Sequence, residues 1–324
     1  MSATSIQVRS AETGAVRPLN ILRDLPAVAD LIEMCFSNTM DDEGQSYLQQ
    51  MRRASRDDGF LRWASQVVDS ASLPMTGFVW EENGKVIGNA SLVYNHYKGK
   101  KLALIANVAT HPDFRKRGIG RTLTERTMAH ARQKGVSEIW LHVRDDNPTA
   151  IKIYLELGFV ERARRTTYAA KPNPLPPSAL NGLTVARPQP RDWPVQRAWL
   201  NHDHPAELGW YSHWDWNILA PGVWNWLYRL FVEFDIRQWA AHKDGELLAT
   251  LSWMSTMRAS DALWAAAKPD GDTAGLRSVL EAARHDLGYL RLLTLEYPAG
   301  EMVDAIQSAG FNARRTLLWM CATS

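Results

Sequence analysis

Eighteen residues constrain this chain more than any others: Leu104-Ile105-Ala106-Asn107-Val108-Ala109-Thr110-His111-Pro112-Asp113-Phe114-Arg115-Lys116-Arg117-Gly118-Ile119-Gly120-Arg121. Leu104 to Thr110 is mostly apolar and has the length of a buried strand. Pro112 cannot donate to a ladder and ends it. Three basic residues and two glycines then lead into a helix. The first N–H groups of a helix have no intrahelical acceptor, and the helix dipole adds partial positive charge there. Gly118 and Gly120 let a ligand approach the backbone. Arg115, Lys116, Arg117 and Arg121 add full charges, so a diphosphate suits the stretch. Taken alone, the same residues also read as a glycine turn beside a solvated basic patch.

A dinucleotide fingerprint, G-x-G-x-x-G, is excluded. The third glycine position holds Leu123. The acidic residue expected about 20 positions on should end the next strand. Glu138 begins it instead.

The run Arg115-x-x-Gly118-x-Gly120 resembles the R/Q-x-x-G-x-G/A signature of the GNAT (Gcn5-related N-acetyltransferase) family. Downstream, Asn147-x-x-Ala150-x-x-x-Tyr154-x-x-x-Gly158-Phe159 resembles a second feature of that family, separated from the first by a helix and a strand. The resemblance implies acetyl-CoA as acyl donor and acetyl transfer to an amine by direct attack in a ternary complex. It places the diphosphate on Arg115, Lys116, Arg117, Gly118, Ile119, Gly120 and Arg121. It places the pantetheine arm on the strand edge Val108, Ala109 and Thr110, as an added strand would lie. It gives the backbone N–H of Val108 to the carbonyl oxygen that gains charge, Tyr154 to the leaving thiolate as general acid, and Asn147 to the cofactor. Where many relatives carry Glu before the Val108 position, this chain has Ala106-Asn107. His142, Glu81 and His96 are the candidates for a base, with His142 on the strand beside the expected cleft. The acceptor implied is a small-molecule amine or a protein amino group. The alternative is a non-catalytic acetyl-CoA-binding module with the aromatic second half as partner surface.

The rest of the first half fits that fold. Val16–Leu19 reads as an edge strand, and Asp24 as the N-cap of a helix with Pro26 in its first turn. Helical tracts follow from about Gln45 to Ala54 and about Phe60 to Ser70. Asp41-Asp42-Glu43 reads as an acidic loop. Asn83-Gly84 between two apolar runs, 77–81 and 86–94, is a hairpin signal. Gly135 stops the glycine-loop helix. Ile139, Leu141 and Val143 share one face of a strand. Asn147 opens and Gly158 ends a short helix, and Phe159–Ala170 reads as a closing strand pair.

The 324 residues suit two domains: residues 1–170, a Pro-rich linker at 171–180, and 181–324. Four prolines between 172 and 177 make the linker extended. In the second half Lys243-Asp244-Gly245-Glu246 turns a hairpin, a helix covers 276–285, and Arg291–Leu295 is a strand. Pro112-Asp113, Gly118 and Leu123 lie over Pro269-Asp270, Gly275 and Leu280 without a gap, and Gly158-Phe159 over Gly310-Phe311. A second, degenerate copy follows: Asp272 replaces Arg115, Arg277 replaces Gly120, and Ile306 replaces Tyr154. The fold class expected is α/β (α+β), two tandem GNAT-like domains, each a mixed, mostly antiparallel sheet flanked by helices. Of 14 tryptophans only Trp63, Trp80 and Trp140 precede residue 170. The cluster from Trp210 to Trp226 reads as interface packing before it reads as a pocket.

Composition excludes other classes. A net charge of +2 argues against nucleic acid. No run approaches the roughly 18 apolar residues of a membrane span, and Met1–Gly14 has no apolar signal core. Two cysteines, Cys35 and Cys321, make neither a disulfide framework nor a metal site. The expectation is a cytoplasmic protein without a metal.

Overall fold

The computed structural model describes residues 14–37, 40, 42–56, 76–171, 173, 182–212, 215–222, 235–254, 260–269, 271, 273–287 and 291–323. The expected helix at 60–70, most of the Pro-rich linker, Trp63, Trp214, Trp224, Trp226, Asp270 and Asp272 lie outside the described residues, as do Asp41 and the side chains of Asp42 and Glu43. The chain divides into two compact units. The first comprises Met1–His142, Thr149–Val160 and Met320–Ser324, and the second Val143–Pro148 and Glu161–Trp319.

The first unit is built from β1 (Ala15–Pro18), α1 (Ile21–Phe36), α2 (Asp42–Ala54), β2 (Thr76–Glu82), β3 (Lys85–Tyr97), β4 (Lys100–Thr110), α3 (Ile119–Gln133), β5 (Glu138–Arg144) and α4 (Pro148–Glu156). Residues 143–144 of β5 and Pro148 group with the second unit. The strands run in the order β1-β2-β3-β4-β5. β1 to β4 pair antiparallel, and β4 and β5 pair parallel. Asn83 and Gly84 both take positive φ, 52° and 73°, as a two-residue hairpin turn requires.

Helix α1 starts three residues before the expected cap. Asn20 caps it, its side chain accepting from the Leu22 N–H, while the Asp24 carboxylate inside the helix accepts from the Asn20 N–H at 2.8 Å. Asp24 thus completes a reciprocal cap rather than opening one. One face of α1 (Ile21, Leu25, Val28, Ala29, Ile32) packs with Leu48 and Met51 of α2 and Val79 of β2. On the other side Phe78, Ile87 and Ala90 pack under Ile119 and Leu123 of α3. Gly88 permits this approach: a Cβ there would lie 2.8 Å from Ile119 Cγ2 and 2.9 Å from Leu123 Cδ1.

The second unit repeats the plan with β6 (Val160–Ala170), β7 (Leu183–Ala186), α5 (Trp193–Asp203), α6 (Gly209–Ser212), β8 (Ile236–Lys243), β9 (Glu246–Met254), β10 (Asp261–Ala267), α7 (Thr273–Asp286), β11 (Leu293–Pro298), α8 (Val303–Ser308) and β12 (Asn312–Thr323). β7 to β10 pair antiparallel and β10 pairs parallel with β11, as β4 does with β5. Residues 159–170 do not form a strand pair. Glu161–Ala170 is one strand of the second unit, with residues 165–170 antiparallel to β11. Trp210, Tyr211 and Trp319 meet edge to face at 5.1 to 6.4 Å, which is packing.

Candidate functional site

The site is organised by an irregularity in β4. Ser91 of β3 stands opposite Ala106, and Asn89 opposite Ala109. Two residues, Asn107 and Val108, therefore face the single Ala90, which makes a β-bulge. Asn107 has φ +54°, a conformation Asn adopts more readily than most residues. Its Nδ2 donates to Tyr47 Oη of α2 at 2.8 Å, and its backbone oxygen accepts from Asn89 Nδ2 at 2.9 Å. The same Asn89 amide lies 3.0 Å from Ser91 Oγ. Burial pushes the Tyr47 phenol up to about 12 despite the Asn107 bond, so it stays protonated at neutral pH. The Val108 side chain packs into the cluster under α3. Ahead of the bulge β4 and β5 part: their parallel ladder pairs Leu102–Ile105 with Glu138–Leu141 and stops there.

The glycine loop follows. Lys116 and Gly118 take φ of 64° and 77°. Gly118 is the N-cap of α3 and offers no side-chain acceptor, and the first turn holds no acidic residue. The first intrahelical donor is the Thr122 N–H, on the Gly118 oxygen at 3.0 Å, so the N–H groups of Ile119, Gly120 and Arg121 have no acceptor within the helix. A Cβ on Gly120 would have Thr110 Oγ1 at 3.7 Å as its nearest neighbour. Thr110 O accepts from Cys35 Sγ and from Arg115 Nε, both at 3.3 Å.

The four cations differ. Arg117 forks onto Glu82 at 2.7 and 3.2 Å. Arg121 is tied to Glu156 and lies 3.6 Å from Glu125. Arg115 and Lys116 are exposed and make no ion pair among the described residues.

Tyr154 sits on α4 with 7% of its surface exposed, its ring edge-on to Phe159. Its hydroxyl makes no hydrogen bond among the described residues, and burial alone pushes it up to about 12. The helix end that places it is fixed by Gly158 at φ +86° and by the Phe159 N–H on the Tyr154 oxygen at 3.0 Å. Val108, Ala109 and Thr110 lie on β4 past the end of the ladder, and half-buried His142 follows the last paired residue of β5. Asn147 is exposed, in the turn before α4, with its N–H on Arg144 O at 3.1 Å, and it groups with the second unit. Glu81 is bound by Arg17 at 2.6 Å and Arg23 at 2.8 Å, and the Arg17 bond holds its carboxyl below the ordinary range, which makes it a poor base. His96 is exposed opposite Lys101. Seven residues of strand, about 23 Å, separate Lys101 from Val108, so His96 is remote from the bulge.

Asn89 and Tyr47 carry no motif and were not among the sequence candidates. The one signal for Asn89 is a polar residue inside the apolar run Val86–Val93, where it is fully buried.

The second unit departs at the same points. Gly275 sits inside α7 instead of capping it, and a Cβ there would lie 2.6 Å from Leu248 Cβ. Ile306 occupies the Tyr154 place: the Phe311 N–H bonds the Ile306 oxygen at 3.2 Å, and Gly310 has φ +82°. Past the β10–β11 ladder the space holds a buried polar network. Arg165 donates to Asp203 O at 2.6 Å, Glu296 Oε1 at 2.5 Å and His204 Nδ1 at 3.1 Å, and Tyr297 Oη donates to Asp203 Oδ2 at 3.1 Å.

Comparison with known proteins agrees with this geometry. Residues 28–159 match the acetyltransferase (GNAT) family model. A ribosomal protein bS18-alanine N-acetyltransferase of Salmonella typhimurium is 42% identical over 66 residues, which are 20% of this chain and 45% of that protein. The chain thus spans less than half the length of the curated relatives it matches first. A tandem GNAT protein from the clavulanic acid biosynthesis pathway, 16% identical, superposes with a TM-score of 0.50 over 96% of this chain and 98% of its own. A GCN5-related N-acetyltransferase from Sphaerobacter thermophilus, 14% identical, gives 0.54 over 96% and 95%. The chain has the GNAT acetyltransferase fold, in two tandem copies. Among the described residues no helix is long and apolar enough to cross a membrane, and no cluster of His, Cys, Asp and Glu could hold a metal.

Proposed function

We propose that this chain is an acetyl-CoA-dependent N-acetyltransferase whose working site is in the first unit. The observation that carries this reading is the parting of β4 and β5 after Ile105–Leu141 beside an uncapped helix start. The residues present fit acetyl-CoA. Gly120 leaves open the space a side chain would fill, and three N–H groups with Arg115 and Lys116 suit a diphosphate. Arg117 and Arg121 add field while held by Glu82 and Glu156. The edge Val108–Thr110 has backbone groups to pair with an amide-rich arm.

When bound, acetyl-CoA supplies an acetyl group on a thioester. The Val108 N–H stabilises charge on the acyl oxygen. Tyr154, protonated because it is buried, gives its proton to the departing sulfur. His142, beside the end of the β5 ladder, takes the proton of the attacking amine. The acceptor is an amine, of a small molecule or of a protein; the bS18-alanine relative sets the precedent for a protein amino group. The second unit binds no acetyl-CoA, since Ile306 and the buried Arg165 network occupy the corresponding places.

The test is free-thiol release from acetyl-CoA with a panel of amines and N-terminal peptides, beside calorimetric binding of acetyl-CoA. Release with at least one acceptor is expected. Tight binding with no release for any acceptor would leave a non-catalytic binding module, and no binding would remove both readings.

A further inference from the structure

The N–H proposed to face the acyl oxygen belongs to the peptide unit between Asn107 and Val108. The oxygen of that same peptide accepts from Asn89 Nδ2 at 2.9 Å. In a trans peptide the C=O and N–H point in opposite directions, and no peptide bond among the described residues is cis. A side chain that holds the Asn107 oxygen therefore also aims the Val108 N–H, away from Asn89. A carbonyl accepts only, so the Asn89 nitrogen must face it, and Ser91 Oγ at 3.0 Å takes a second bond of that amide.

Two further observations mark Asn89 as more than packing. Its Oδ1 is buried and has no hydrogen-bond partner among the described residues. A buried acceptor left unpaired costs free energy that Val or Leu at this strand position would avoid. And the bulge peptide is held from two sides: Asn107 Nδ2 reaches Tyr47 Oη at 2.8 Å, while the ladder on either side is regular, Ser91 to Ala106 and Asn89 to Ala109.

We propose that Asn89 is a positioning residue for acetyl transfer: its amide pins the Asn107–Val108 peptide so that the Val108 N–H meets the acyl oxygen. The inference rests on the acetyltransferase reading. Asn89 contacts no substrate. It acts through the backbone of Val108, so its loss lowers turnover and leaves cofactor affinity in place.

The measurement is isotope-edited infrared spectroscopy of acetyl-CoA labelled with carbon-13 at the thioester carbonyl, bound to the full chain, with kcat and Kd taken in parallel. In the wild type the bound carbonyl stretch falls below its value in water. In Asn89→Leu and in Asn89→Asp that fall is lost, and kcat drops about 10- to 100-fold, somewhat less than deleting an oxyanion donor outright, with Kd for acetyl-CoA within about threefold because the diphosphate cradle is untouched. An Asn89 variant that binds with the wild-type carbonyl shift and turns over normally would overturn the inference while leaving the acetyltransferase reading intact. A wild type that does not bind acetyl-CoA would end that reading, and the inference with it. Should both Asn89 variants fail to fold, amide exchange in the wild type decides: a Val108 N–H protected like its ladder neighbours, with no acetyl-CoA bound, contradicts an N–H aimed out of the ladder.

Discussion

Tyr154 and His204 show how burial sets the charge state of a side chain in each unit. Nothing described bonds the Tyr154 hydroxyl, so burial has no opponent and the phenol rises to about 12. Tyr154→Phe removes no hydrogen bond and should leave the melting temperature unchanged. It should lower kcat about 100-fold, the usual scale for a positioned acid, with acetyl-CoA affinity within about twofold. A raised pKa keeps the phenol protonated, so no loss of kcat from this group is expected below about pH 10. A Phe variant with wild-type turnover would remove Tyr154 from the chemistry. His204 is pushed the other way, to about 3, by burial first and Arg165 second. Its folded pKa lies below the unfolded value of about 6.5, so the unfolded chain binds the proton first. The stability contributed is complete above pH 6.5 and is lost as pH falls toward 3, at up to about 1.4 kcal/mol per pH unit. Urea unfolding at stepped pH should show this slope in the wild type and a shallower one in His204→Asn. Equal slopes would mean that other groups govern the acid limb.

At the scale of elements, the two copies show what a helix start must lack in order to bind an anion. Gly118 caps α3 with no side-chain acceptor and no acid follows, whereas in the second unit the aligned Gly275 has been taken into α7 and packs on Leu248. The same residue type serves backbone access in one copy and close packing in the other. Gly120→Val tests the access role. Its Cβ meets nothing nearer than Thr110 Oγ1 at 3.7 Å, so folding should change by less than about 1 kcal/mol, the scale of a helix-propensity difference. The branched side chain should still weaken acetyl-CoA binding at least about tenfold by shielding the N–H groups. Unaltered affinity in a titration would place the diphosphate elsewhere. Much of this was readable beforehand: the hairpin turns Asn83-Gly84 and Asp244-Gly245 take the positive φ their residue types announce, whereas in Lys98-Gly99, between β3 and β4, only the glycine announces it. The cap of α1 was misread because Asn20 and Asp24 are equally good acceptors and only the fold shows that they act together. Asn89 was illegible because two polar residues in an apolar strand, Asn89 and Ser91, signal no partner across it until the bulge opposite is seen.

For the whole molecule, the division of the chain does not follow its repeat. The copy boundary read from the linker falls near residue 170, yet Glu161–Ala170 is part of the second unit and Met320–Ser324 part of the first. Strand alternation tells which face of a strand is buried and is silent on which neighbour it pairs with, so sequence could not assign these two segments. The consequence is physical. In the second unit β6 covers the edge of β11 along residues 165–170, and Tyr168 and Ala170 lie in its core. A fragment 171–324 would expose that edge, a template for aggregation. A fragment 1–170 would lack Met320, Cys321 and Ala322, all at most 3% exposed in the intact chain. Neither fragment should give a cooperative melt alone, whereas 1–170 and 171–324 made together should co-purify, melt cooperatively and bind acetyl-CoA, because together they supply every segment of both units. The decisive readings are calorimetry and gel filtration of each fragment and of the pair. A fragment 1–170 that melts at the full-length midpoint and binds acetyl-CoA with full affinity would show that the first copy is self-sufficient and that the crossed segments add nothing to its stability.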